Sequence, residues 1–112
     1  MRTLPIALIV LLLASLALTT PAVATTRNVK VGDDYFVRAG SPPTVTVSKG
    51  TTVKWNWRGN RQHNVTVQSG PRHFQSALKR SGSFKRKLKV RGTYRIVCSI
   101  HAPDMAMKLV VQ

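Results

Sequence analysis

Acidic residues are nearly missing from this chain: three aspartates and no glutamate stand against eighteen lysines and arginines, a formal net charge of +15. Such a field implies attraction to something anionic and carries no information about the fold. Cysteine occurs once, at Cys98, so an internal disulfide is impossible and an iron–sulfur cluster would lack thiolates. Helical periodicity is almost absent from Thr25 onward. There is no internal repeat, no low-complexity segment and no composition shift that would mark a second domain. The single long apolar run, Leu4 to Leu18, is about 15 residues, short of the roughly 20 that a spanning helix needs. No cysteine follows that run, which excludes a lipoprotein anchor.

What precedes Thr25 reads as an export leader. Arg2 supplies a positive start, the apolar run follows, and Ala22-Val23-Ala24 is a small-residue cleavage signal. Residues 1–24 are therefore expected to be a cleaved signal peptide, with residues 25–112 forming one small domain in the periplasm or at the cell surface. Loss of Arg2 takes the net charge from +15 to +14. A lone thiol in an oxidising compartment is prone to oxidation or intermolecular pairing unless something occupies it. Metal ligation is an economical reason for its presence.

The domain reads as strands and turns. Asn28 to Val31 and Tyr35 to Val37 flank the turn formers Gly32-Asp33-Asp34. Thr44 to Val47 alternates, with Val45 and Val47 on one face. After Lys49-Gly50, Val53, Trp55 and Trp57 share the inward side of the next strand. His63 to Val67 predicts another strand with His63 at its start, and Phe74 to Leu78 a brief helical turn. Ser83 to Val90 sets Phe84, Arg86, Leu88 and Val90 against a solvated lysine face, leaving Arg86 on the apolar parity without an account. Thr93 to Val97 and Met107 to Val111 close the set. Seven or eight short strands at these spacings predict an all-β, antiparallel Greek-key sandwich.

The chemistry is concentrated in Cys98-Ser99-Ile100-His101-Ala102-Pro103-Asp104-Met105. A thiol, an imidazole and a thioether lie in one short loop, and His63 is available upstream. One Cys, two His and a weak Met form the donor set of a blue-copper electron-transfer site. Structural zinc usually takes two or more cysteines among four strong ligands, so this set suits zinc poorly. A cysteine nucleophile with a histidine base would leave Met105 and His63 unexplained.

The pattern Val45-x-Val47-x-x-Gly50-x-x-Val53-x-Trp55, His63-Asn64-Val65, Ser81-Gly82-Ser83-Phe84 and Gly92-Thr93-Tyr94-x-x-x-Cys98-x-x-His101 with Met105 resembles the plastocyanin–halocyanin branch of the cupredoxins. The resemblance covers nearly all of residues 25–112. It implies one type 1 copper ion, with His63, Cys98 and His101 as the strong-ligand plane and Met105 as the weak axial contact. By the same resemblance Asn64 braces the ligand loop and hydrogen-bonds near the thiolate. Three residues separate His101 from Met105, where plastocyanin-like loops have four and amicyanin-like loops two, so Met107 remains a second axial candidate.

The implied function is a monomeric single-electron carrier with His101 as its port, apolar neighbours in Ile100, Ala102 and Pro103, and an acidic redox protein or anionic surface as partner. Three other readings compete. A copper oxidase or nitrite-reductase-like enzyme needs histidines beside the cysteine, but Cys98 lies between Val97 and Ser99 and only His73 is left over. An envelope copper-delivery protein would use an overlapping ligand set. A polyanion-binding surface protein is prompted by the basic run from Lys79 to Arg91. Export argues against nucleic acid as a working partner.

Overall fold

The computed structural model describes Thr3 and residues 25–112; the expected leader, residues 1–24, otherwise lies outside the described residues. Eight strands follow in order: β1 Thr26–Gly32, β2 Tyr35–Phe36, β3 Thr44–Val47, β4 Thr52–Trp57, β5 Thr66–Ser69, β6 Ser83–Lys87, β7 Gly92–Val97 and β8 Ala106–Val111. They form two four-stranded sheets, ordered β2-β1-β4-β6 and β3-β8-β7-β5. No helix occurs among the described residues.

Alternation in the sequence decides which side chains face inward. β3 buries Val45 and Val47, and β4 buries Val53, Trp55 and Trp57 while its alternate residues stay half-exposed. β8 adds Met107, Leu109 and Val111 opposite Tyr94 and Ile96 of β7. Aromatic rings fill the space between sheets: Trp55 lies 5.9 Å from Phe74 and 6.0 Å from Phe84, centroid to centroid. Such tilted pairs contribute about 0.5–1.5 kcal/mol each beyond the area they bury. Buried Tyr94 satisfies its hydroxyl by donating to the Val90 carbonyl at 2.7 Å, which ties the start of β7 to the preceding turn.

The sandwich is all-β as expected, but its sheets are mixed rather than wholly antiparallel. β1 runs parallel to β4, and β3 parallel to β8. The reason is that β3 and β4, adjacent in sequence, belong to opposite sheets. The Ser48–Thr51 turn between them is an arch across the core instead of a hairpin, with Gly50 at φ 91°. Each strand then pairs with a remote segment running its own way.

Two local expectations also change. Phe74 to Leu78 is extended, not helical. Ser76 clamps it against the chain ahead of β5: its Oγ accepts the Val65 N–H at 2.9 Å, and its N–H donates to the Val65 carbonyl at 2.8 Å. The strand expected to begin at His63 begins at Thr66, and His63 instead forms an isolated bridge with Lys79. β6 ends at Lys87, and Arg86 finds its account there. It turns outward and lays its guanidinium 5.5 Å from the Phe84 ring centroid and 5.8 Å from that of Phe74.

Val31 at the end of β1 is in register with Trp57 at the end of β4. The β1–β2 turn and the β4–β5 connection therefore emerge at the same end of the sandwich, where the β7–β8 loop also arrives.

Candidate metal centre

Cys98 follows directly on β7, so the ladder with β8 determines where its backbone sits. The loop after it closes on itself. The Cys98 N–H donates to the Met105 carbonyl, the His101 N–H to the Cys98 carbonyl, and the Met105 N–H to the His101 carbonyl, each at 3.1 Å. His63 is pinned on its other side. Its N–H and carbonyl exchange bonds of 2.9 and 3.0 Å with Lys79, and its carbonyl also accepts the indole N–H of Trp57 at 3.1 Å.

These constraints bring three donor atoms together. Cys98 Sγ lies 3.5 Å from His101 Nδ1 and 3.9 Å from His63 Nδ1, and the two Nδ1 atoms are 3.3 Å apart. His63, Cys98 and Met105 are fully buried, whereas the His101 side chain keeps 29% of its surface exposed. Bond lengths of about 2.0–2.3 Å to nitrogen and sulfur, at angles between tetrahedral and trigonal, require donor separations of about 3.3–3.8 Å. The spacings of 3.3 and 3.5 Å fall in that range, and the 3.9 Å between Cys98 Sγ and His63 Nδ1 needs only a slightly wider angle at the same ion. One thiolate, two imidazoles and a thioether form a set that suits copper.

Met105 precedes β8 in the loop, with its backbone bonded to both Cys98 and His101. Met107 is two residues further on, inside the ladder opposite Ile96 and buried in the core. Asn64, 2% exposed, crosses from the His63 segment to the ligand loop. Its Nδ2 donates to Ser99 Oγ and its Oδ1 accepts the Ser99 N–H, both at 2.8 Å. His73 lies elsewhere, in a surface groove with Arg72 and Arg86.

Two residues of the centre were read from the sequence only as turn formers. Asp33 Oδ1 is 3.1 Å from His63 Nε2, and Asp34 Oδ1 is 3.4 Å from His101 Nε2. Asp33 also accepts the backbone N–H groups of Asn60 and Arg61. Those two bonds, followed by the one from His63, lower its pKa from 3.8 to about 2. Gly59 makes the approach possible: a Cβ there would collide with the Asp33 carboxylate. Asp34 is paired with Arg61 at 3.0 Å. The available signal was the rarity of acid in the chain, since two of its three aspartates are adjacent here.

A buried Cys–His–His cluster beside a methionine, at one end of a two-sheet β-sandwich, defines a protein of cupredoxin type. The family model for copper-binding proteins of the plastocyanin/azurin family matches residues 26–112, and the chain belongs to that family. Among solved structures, an oxidised amicyanin variant is 24% identical, with a TM-score of 0.64 over 76% of this chain and 80% of that one. A reduced amicyanin variant is 26% identical, with a TM-score of 0.63 over 80% and 82%. A copper-containing nitrite reductase from Thermus scotoductus SA-01 is 20% identical, with a TM-score of 0.65 over 80% of this chain but only 22% of its own.

Proposed function

We infer that the protein is an exported blue-copper carrier of single electrons, with His63, Cys98 and His101 as strong ligands and Met105 as the weak axial one. One observation carries the reading: three donors are spaced for a single ion, with His63 and Cys98 buried in the fold and His101 partly open at the surface. Copper, when bound, supplies a one-electron couple, and the protein supplies a frame that resists rearrangement. Strand β7, the Lys79 bridge and the closed 98–105 loop hold each donor by backbone bonds, so little movement accompanies a change of charge.

His101 is the port in this reading. Ile100, 53% exposed, and the exposed Ala102 and Pro103 give it an apolar surround onto which a partner can close. Of the alternatives, a catalytic copper enzyme is the less favoured, because Val97 and Ser99 flank Cys98 and offer no histidine path to a second metal. A copper-delivery role uses the same ligands and differs in needing fast release.

The partner is an acidic redox protein, met by a monomer in the periplasm or at the cell surface. Arg72, His73, Arg86, Lys87 and Lys89, with Phe74 and Tyr94, line a groove of about 330 Å³. Lys87 is in register with Thr52 at the start of β4, so this groove lies away from His101 and contributes to the overall positive field that quickens encounter in a salt-dependent way.

The test is one spectrum. Addition of Cu(II) should give an intense band at about 600 nm from thiolate-to-copper charge transfer. Cys98→Ser should abolish it. A colourless complex, or copper lost to a weak chelator within seconds, would favour delivery over electron transfer.

A further inference from the structure

Both ligand imidazoles turn the same atom inward. Nδ1 of His63 and Nδ1 of His101 face each other and Cys98 Sγ, and on each ring Nε2 is backed by a carboxylate oxygen. The two carboxylates belong to adjacent residues, Asp33 and Asp34, in a turn that is remote in sequence from either ligand. An ionised carboxylate only accepts hydrogen bonds. Asp33 Oδ1 already accepts the Asn60 and Arg61 N–H groups, so it faces His63 as an acceptor and the hydrogen of that 3.1 Å contact is the ring's Nε2–H. His63 then presents a bare Nδ1 to the cluster. Asp34 acts on His101 through space, being half-exposed and shared with Arg61.

We propose that the Asp33–Asp34 turn is a positioning device for the copper centre: Asp33 selects the His63 tautomer that offers Nδ1 to the metal, and the two carboxylates together bias the centre toward its oxidised state. The inference rests on the copper reading above and adds to it two residues and a direction for the potential. A carboxylate behind a ligand imidazole raises the basicity of the ring and favours the more highly charged ion. Asp33 carries the larger share, because its partner is fully buried and its bond is directed. Asp34 carries a smaller share that salt screens.

The alternative is that Asp33 merely clamps the 59–61 loop, and three readouts separate the two. The first is the His63 tautomer, read by nitrogen-15 NMR on the full chain before copper is added. Wild type should show a single Nε2–H form. Asp33→Ala should show a mixture, and Asp33→Asn, which keeps an acceptor oxygen, should restore the single form. The second is copper affinity by chelator competition, expected to fall about 10–100-fold in Asp33→Ala. The third is the midpoint potential, expected to rise in Asp33→Asn and, by less, in Asp34→Asn. A purely structural clamp would let Asp33→Asn restore loop and stability without moving the potential, and that result overturns the electrostatic half. An unchanged tautomer with affinity within about twofold in Asp33→Ala overturns the positioning half. If wild type takes up no copper, the carrier reading fails, while the tautomer measurement still decides what Asp33 does.

Discussion

Replacing Asn64 by alanine tests whether the ligand loop is held by the clasp seen between Asn64 and Ser99. The side-chain amide makes two bonds, both at 2.8 Å, from a position only 2% exposed. Each is worth about 1 kcal/mol net, and the orphaned Ser99 groups escape the full desolvation penalty because Ser99 is exposed and can turn to water. The expected loss is therefore about 2 kcal/mol. For a domain of this size that lowers Tm by about 8–16 °C. Thermal or urea unfolding of the metal-free chain, followed by the fluorescence of Trp55 and Trp57, reads the effect directly. Ser99→Ala removes one of the two bonds and leaves the buried Asn64 Nδ2 without an acceptor, so it should cost about 1–3 kcal/mol. In the double variant the shared bond is counted once, so the two losses should fall short of additivity by about 1 kcal/mol. Copper affinity should drop with stability, because the clasp ties the His63 segment to the loop bearing Cys98 and His101. A loss below about 0.5 kcal/mol, or strict additivity with Ser99→Ala, would refute the clasp.

Met105→Leu should keep the blue colour and shift the potential, whereas Met107→Leu should leave both unchanged and cost under about 1.5 kcal/mol as a volume-conserving swap in the ladder. The opposite outcome, read by visible spectroscopy and voltammetry, would move the axial role to Met107. Gly59→Ala should push the Asp33 carboxylate off His63, since the new methyl would collide with it, and should weaken copper binding in the same sense as Asp33→Ala. Association with an acidic redox partner, measured by stopped flow, should slow steeply between 0.01 and 0.1 M salt, as the screening length falls from about 30 to about 10 Å. A paired loss of Lys30, which lies toward the metal end, and Lys49 should slow it at least as much as a paired loss of Lys87 and Lys89, because both remove two charges from one field. Slowing confined to the Lys87 and Lys89 variant would mean that the groove itself receives the partner, against the His101 port.

Residue pattern alone went far with the strands. Val45 and Val47 on β3, and Val53, Trp55 and Trp57 on β4, face the core as their alternation requires, because a period of two leaves one face to bury. Periodicity does not contain pairing, however. That β1 lies beside β4 in parallel follows from the arch at Ser48–Thr51, a three-dimensional choice that no local spacing records. Phe74 to Leu78 misled for a related reason. Its course is dictated by Ser76 bonding to Val65, a partner eleven residues away. Arg86 broke the alternation because its environment is two aromatic faces and not the core proper.

The sequence by itself determined the donor inventory. A lone cysteine with a histidine three positions on and a methionine four beyond can reach a common point through backbone closure of a single loop, so short-range geometry sufficed. The class of metal followed from the hardness of those donors. Tertiary structure decided everything that depends on segments meeting. It brought His63 across from the Lys79 bridge, spaced the three donors 3.3–3.9 Å apart, and left His101 alone among them open to solvent. It also placed Asp33 and Asp34 behind the two imidazoles. The physical reason is that hydrogen-bond direction and distance are properties of packed backbones. Two aspartates in a turn have no partner until the β4–β5 and β7–β8 connections close over them.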